Sequence, residues 1–261
     1  MDGKDSNLSR YERQIAFGGL GLAGQRAIGA ARAMIVGVGG LGSWTAELLT
    51  RAGVGALRLV DDDRVDLTNI HRQALYDEED AAAKAPKVEA AARRLGRINA
   101  GVAVEPAFER LAAANIERLA AGAHVILDGT DNFATRFLIN DFAVKRGVPW
   151  VMAGVVAAEA QVMAVLPGRT ACLRCLMPAP PPPCTDPSCR VAGVLGPAVA
   201  AVAAMQAGEA MKLLAGRSDL VSPYLTKFDL WGNALQRIRT DAARKDDCPC
   251  CGQKCFEFLE P

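Results

Sequence analysis

The stretch IVGVGGLGSW, residues 35–44, constrains this chain more than any other. The apolar Met34-Ile35-Val36 run reads as a buried strand, Gly37, Gly39 and Gly42 take the G-x-G-x-x-G spacing, and residues 43–51 continue as a helix. Strand, glycine turn and helix open a dinucleotide-type βαβ unit. Glycine permits the tight turn and the close approach of backbone to a phosphate, and the helix N-terminus offers free N–H groups and partial positive charge. The expected ligand is a nucleotide. By itself the motif does not say which one, and NAD is its default occupant.

The rest of the chain repeats the alternation. Strands are expected at 56–61, ending in Asp61, at 123–131 and at 148–154, with helices over 87–98 and 132–145 between them. This pattern implies an α/β fold, a doubly wound, mainly parallel, Rossmann-like sheet whose ligand sits beyond the carboxyl ends of its strands. Residues 9–28 read as helical, with Ser9 as N-cap and Glu12 completing a capping box, interrupted by Gly18, Gly19 and Gly21. From about residue 160 the pattern changes to short strands, a proline-rich stretch at 177–189, an alanine-rich helix and, over 224–240, antiparallel strands. The chain is read as one unit over 1–261, made of an N-terminal helical segment (1–30), a nucleotide-binding part (31–158) and a cysteine-bearing part (159–261).

Charge excludes one class of partner. Thirty Lys and Arg against 29 Asp and Glu leave a net charge of +1, without the basic footprint of a nucleic-acid binder. Residues 191–208 carry no charge after Arg190 until Glu209, but Pro197, the glycines and a run of alanines fit a packing helix better than a membrane span. The polar N-terminus has no apolar signal region, so the expected compartment is the cytoplasm, where the eight cysteines would be reduced. Cys172 and Cys175 form one C-x-x-C pair and Cys248 and Cys251 another, and together they would make a tetrahedral thiolate site for structural zinc. Against it stand a redox C-x-x-C, which lacks a thioredoxin context, and unrelated free thiols. A closed four-thiolate site has no open position for water and predicts stability rather than metal chemistry.

Asp61 lies nineteen positions beyond Gly42, where a carboxylate can accept from the ribose hydroxyls of NAD and ATP alike. The residues around it discriminate. Asp63, Asn69, Arg72 and Gln73 follow the strand, Lys84 and Lys87 come next, and Asp131, Asn132 and Arg136 follow the 123–131 strand. Arginine and lysine near a glycine loop suit a triphosphate, and Asp131 offers hard oxygen to Mg²⁺; hydride transfer needs little of this. A Walker A sequence is lacking, so ATP would be held without the P-loop lysine arrangement.

Eight stretches in order carry a resemblance: RYERQI (10–15), GVGGLGS (37–43), AGVGALRLVDDDRVDLTNIHRQ (52–73), KVEAA (87–91), LDGTDNFATRFLIN (127–140), CLRC, CRVAGVLGP (189–197) and CPCC. Nearly end to end, the chain resembles the MoeB/ThiF/HesA group of the ubiquitin-activating enzyme superfamily. The resemblance implies ATP-dependent adenylation of the C-terminal glycine of a small ubiquitin-like sulfur-carrier protein ending in Gly-Gly, with release of pyrophosphate, for molybdopterin- or thiamine-type sulfur transfer. It assigns Gly40 and Asp61 to the adenosine moiety, Thr68, Asn69 and Arg72 to the ribose and phosphates, Lys87 to the phosphates, Asp131 to Mg²⁺ and the two C-x-x-C pairs to Zn²⁺. It makes Arg13 a trans-acting finger in a homodimer, and residues 159–261 the carrier-binding part. Cys189 aligns with a cysteine that some relatives link covalently to the carrier, and Cys184 lies five positions earlier. His71 and Ala160 depart from the usual Gln and Gly. The competing readings are a superfamily enzyme activating another carboxylate, such as one on a modified tRNA base, and an NAD-dependent oxidoreductase.

Overall fold

A computed structural model describes residues 8–181 and 192–260. One eight-stranded sheet runs through it in the order β3-β2-β1-β4-β5-β6-β7-β8. The strands are β1 (Arg32–Val36), β2 (Ala56–Val60), β3 (Ala103–Ala107), β4 (Val125–Asp128), β5 (Trp150–Val156), β6 (Glu159–Val165), β7 (Tyr224–Asp229) and β8 (Ala234–Arg239). β1 to β5 pair in parallel, and β6, β7 and β8 continue the sheet antiparallel. This is the expected Rossmann-like sheet with its antiparallel extension. Because β1 lies between β2 and β4, the chain reverses its direction of winding there, and a crevice opens beyond the carboxyl ends of β1 and β4.

β1, β2 and β4 are near-continuous apolar runs because helices cover both of their faces. On one face pack α2 (Gly21–Ala30), α3 (Gly40–Ala52), α5 (Lys87–Ile98) and the long α9 (Gly196–Leu214), around Ile35, Leu49, Leu59, Leu95 and Val202. On the other pack α6 (Ala113–Leu119), α7 (Phe133–Arg146) and the C-terminal tail, around Met34, Ile126, Phe137, Trp150 and the buried cysteines. Short helices α1 (Glu12–Ile15), α4 (Glu78–Ala82) and α8 (Leu173–Leu176) complete the list among the described residues. Truncating a fully buried leucine such as Leu59 to alanine would cost about 2–5 kcal/mol.

Two differences from the sequence reading have local causes, and one expectation holds. Residues 9–28 do not form one capped helix. They make a 3₁₀ turn at Ser9–Tyr11, the four-residue α1, a turn through Gly18 and Gly19 and then α2, and neither N-cap residue, Leu8 or Tyr11, makes a side-chain cap bond. β3 was not expected, since Glu105 and Pro106 break its apolar pattern; it is an edge strand, which tolerates both. The alanine-rich segment is α9, packed on α3, β5 and β6, and among the described residues no helix is long and apolar enough to cross a membrane.

Candidate active site

The glycine loop closes on itself by contacts that exclude a side chain. Gly37 has φ +79°, and a Cβ there would lie 2.8 Å from the Gly129 carbonyl oxygen; one on Gly42 would lie 1.9 Å from the Gly37 oxygen. Gly40 packs against Val199 of α9 and the Arg72 side chain, where a Cβ would sit 3.1 Å from Val199 Cγ1. At Gly39 a Cβ would meet only Gln73 Nε2, at 3.7 Å, so this position leaves room in front of the α3 N-terminus rather than filling it.

The backbone of Val38 is held at both its N–H and its carbonyl. Asp61 Oδ2 accepts its N–H at 2.6 Å, and the Tyr76 hydroxyl donates to its carbonyl at 2.7 Å. Asp61 Oδ1 also accepts the Asp63 N–H at 2.8 Å. Burial pushes the Asp61 carboxyl above its ordinary range, while the charge of Lys87 and the two N–H bonds pull it back. Burial, and then the nearby Asp61 charge, raises the Tyr76 hydroxyl well above its ordinary value, so it remains a donor.

Two cations border the loop. Lys87 opens α5 with its side chain 6% exposed and its ammonium 2.8 Å from Asp63 Oδ2. Arg72 is half-buried: Nη2 donates to Asn69 Oδ1 at 2.7 Å, and Nη1 lies 2.9 Å from His71 Nε2 and 3.3 Å from the Thr68 carbonyl oxygen. The first turn of α3 clamps the segment that carries it, since Trp44 Nε1 donates to the Arg72 carbonyl and Ser43 Oγ accepts from Ala74 N. Gln73 is buried and its carboxamide oxygen has no partner among the described residues. An orphaned buried polar atom beside a glycine cradle is what a polar ligand would complete.

Other expected site residues are occupied differently. Asp66 Oδ1 accepts the Thr68 N–H and hydroxyl, and the hydroxyl bond is the main reason the Asp66 carboxyl lies below its ordinary range. Lys84 pairs with Asp66 at the surface. Asn132 caps α7 by accepting the Thr135 N–H at 2.9 Å. Arg136 is not near the surface at all; it is buried in an ion pair with Asp128, 2.9 Å apart. Asp131 is exposed and without hydrogen bond or ion pair among the described residues, so its carboxylate is free to take a hard cation. His124 Nδ1 accepts the Arg32 N–H, the structural part expected of it.

RYERQI is anchored far from this loop. Arg10 donates to the Ile98 carbonyl, Tyr11 receives Asn99 Nδ2 and packs on Gly53, and Gln14 donates to the Ala52 carbonyl. Ala52 ends α3 and the glycine loop begins it, so Arg13 stands on the order of 20 Å from its own chain's loop. Arg13 is exposed, and no partner holds it among the described residues.

Cys172, Cys175, Cys248 and Cys251 are all buried, with their sulfurs mutually within 4.8 Å. The 172–175, 172–248 and 175–251 separations are 3.9, 3.6 and 3.3 Å. Four thiolates at ~2.3 Å from one Zn²⁺ in a tetrahedron stand ~3.8 Å apart, so the cluster fits that ion. Cys250, which the sequence left unassigned, is a fifth buried thiol and receives Asn140 Nδ2 at 3.3 Å. Cys184 and Cys189 lie outside the described residues. Sequence reasoning also missed Tyr76, Asp128 and Gln206, which sit in apolar runs and read as packing.

The sheet and the glycine cradle at its switch point define a Rossmann-like nucleotide-binding protein, and its four-cysteine cluster fits a structural metal ion. The ThiF family model matches residues 11–250, and the chain belongs to the ThiF family. It is 42% identical over 250 residues to the sulfur carrier protein ThiS adenylyltransferase of Bacillus subtilis, covering 96% of this chain and 73% of that protein. It is 37% identical over 252 residues to the sulfur carrier protein adenylyltransferase of Thermus thermophilus, covering 95% and 92%. Among solved structures, E. coli MccB with ATP superposes with a TM-score of 0.80 at 22% identity, covering 93% of this chain and 74% of that one, a likeness of fold.

Proposed function

We propose that this chain is an adenylyltransferase that uses ATP to activate the C-terminal glycine of a small ubiquitin-like sulfur-carrier protein ending in Gly-Gly. The observation that carries the reading is the buried Lys87 ammonium beside a glycine cradle whose Gln73 oxygen lacks a partner, in a chain akin to sulfur-carrier adenylyltransferases. The carrier carboxylate attacks the α-phosphorus in line, the bond to the bridging oxygen breaks, and pyrophosphate leaves as the acyl adenylate forms. No side chain needs to act as nucleophile. Gly37, Gly39, Gly40 and Gly42 let the backbone approach the phosphates, and Asp61 accepts from the ribose. Asp63, Thr68, Asn69 and Asn132 shape the surrounding loops. Lys87 and Arg72 meet the charge that develops on the leaving pyrophosphate. Asp131 would hold the Mg²⁺ that ATP carries, which offsets phosphate charge. Zn²⁺ on the four cysteines would tie the C-terminal tail to the body of the protein.

The remote, unpartnered Arg13 supports a homodimer in which this arginine crosses to the other protomer's phosphates. The exposed Phe17 and Leu22 beside it offer the apolar surface such an interface needs. Cytoplasmic residence and a role for Cys189 in a covalent carrier link belong to the same reading. An NAD-dependent oxidoreductase, which transfers hydride, needs little of a buried lysine and an arginine at its phosphate end.

The test is exchange of labelled pyrophosphate into ATP. It should require a carrier with its terminal glycine, and Asp131→Ala should abolish it while leaving the fold intact. Exchange that is equal with a carrier lacking the last glycine would overturn the reading.

A further inference from the structure

β4 and β5 pair at only two positions, Ile126 with Trp150 and Leu127 with Val151. Beyond these the strands part, and two side chains entering from opposite faces take the carbonyls a longer ladder would have bonded. From α9, Gln206 Nε2 donates to the carbonyl oxygens of Asp128 and Val151, both at 2.8 Å. From α7, Arg136 Nη2 donates to those of Thr130 at 2.8 Å and Ala153 at 2.9 Å, while its Nε donates to Asp128 Oδ2 at 2.9 Å.

Arg136 is an odd residue to find there. It stands in the first turn of α7, where the helix dipole disfavours a cation, and its side chain is 9% exposed. Its placement fixes the Thr130 peptide, which adjoins Asp131. On the other side of that peptide Gly129 is wedged against the glycine loop, where a Cβ would lie 2.3 Å from the Gly37 oxygen. The loop over 129–131 is thus gripped at both ends, and only the Asp131 side chain is free.

We propose that Arg136 is a positioning residue for the nucleotide site: by stitching the Thr130 carbonyl to the Ala153 carbonyl it aims the Asp131 carboxylate at the divalent cation of bound ATP. The proposal rests on the ATP reading above. The same stitch joins the nucleotide loop to β5, which leads into the antiparallel half of the sheet.

The experiment measures ATP binding to the full chain by calorimetry, with Mg²⁺ and with the metal chelated, together with hydrogen exchange of the amides of 129–132. Arg136→Lys keeps a cation but loses the planar fork that serves Asp128 from Nε and the Thr130 and Ala153 carbonyls from Nη2 at once. It should weaken Mg²⁺·ATP binding by about 10–100-fold, change metal-free ATP binding by less than about threefold, and speed amide exchange in the loop. Gln206→Leu removes the other stitch, which touches no atom of 129–132. It should lower the unfolding midpoint and leave the ratio of metal-bound to metal-free affinity as in the wild type. Should Arg136→Lys not fold, Arg136→Met, which leaves Asp128 and its two bonds to Thr130 in place, carries the same prediction. Wild-type Mg²⁺·ATP affinity in the Arg136 variant, or an equal loss in Gln206→Leu, would overturn the positioning role alone. A wild-type chain that binds no ATP would sink the nucleotide reading and this proposal with it.

Discussion

Lys87 Nζ lies 2.8 Å from Asp63 Oδ2, and the two ends of this ion pair occupy different media, the lysine side chain 6% exposed and the carboxylate 71%. Water screens the carboxylate, so the pair is a weak hold, whereas the ammonium is aimed and already desolvated. A phosphate reaching the loop can replace Asp63 at little cost. Lys87→Met should therefore lower pyrophosphate exchange by about 10²–10³-fold, the usual effect of removing one charge-stabilising donor. The variant should unfold cooperatively, and exchange close to wild type would remove Lys87 from the phosphate site.

The cysteine cluster predicts a metal count. Elemental analysis should find one Zn²⁺ per chain. Cys248→Ser should lose the ion and lower Tm by on the order of 5–10 °C, as expected for a few kcal/mol in a chain of this size. Cys255→Ser, at an exposed thiol, should change neither quantity. Zinc retained by Cys248→Ser would refute the ligand set.

The place of Arg13 predicts complementation. If it serves the neighbouring protomer, mixing Arg13→Ala and Asp131→Ala chains under conditions that exchange subunits should rebuild one working site in each mixed dimer. With random assortment the mixture should recover about a quarter of wild-type activity. Neither variant alone should show it. Mixing that restores nothing while both variants bind ATP would place Arg13 outside the trans role.

Acid stability has a traceable source in Glu105. It accepts from Arg32 at 2.6 Å and from Arg58 at 2.6 Å, joining β1, β2 and β3, and the Arg32 hydrogen bond is the largest cause holding it below its ordinary value of 4.5. A carboxyl whose folded value is lowered contributes stability above its unfolded value and loses it as pH falls through the folded one. Its side chain is 37% exposed, so the contribution is about 1 kcal/mol or less after screening. The urea midpoint of Glu105→Gln should fall short of wild type at pH 7, and the gap should close as the pH is taken below 4.5. A gap unchanged in acid would mean that the ion pairs do not titrate with folding.

Strand, glycine loop and helix were legible because each is a local matter. Gly37 needs a positive φ, residues 34–36 need an apolar cover, and Gly39 leads directly into the N-terminus of α3. The four-cysteine set was legible because two C-x-x-C pairs in one chain leave few other uses, although only the packing of the tail brings Cys248 and Cys251 to Cys172 and Cys175. Tertiary structure alone decided the rest. Tyr76 and Asp61 grip the backbone of one residue, Val38, from fifteen positions apart, and nothing in the sequence marks which hydroxyl will do so. Lys84, Lys87 and Arg136 look alike as cations near a glycine loop. One pairs at the surface, one is buried at the loop, and one stitches strands behind it. Their difference is set by how far each side chain can reach from its own element to a partner distant in sequence, a quantity the order of residues does not contain.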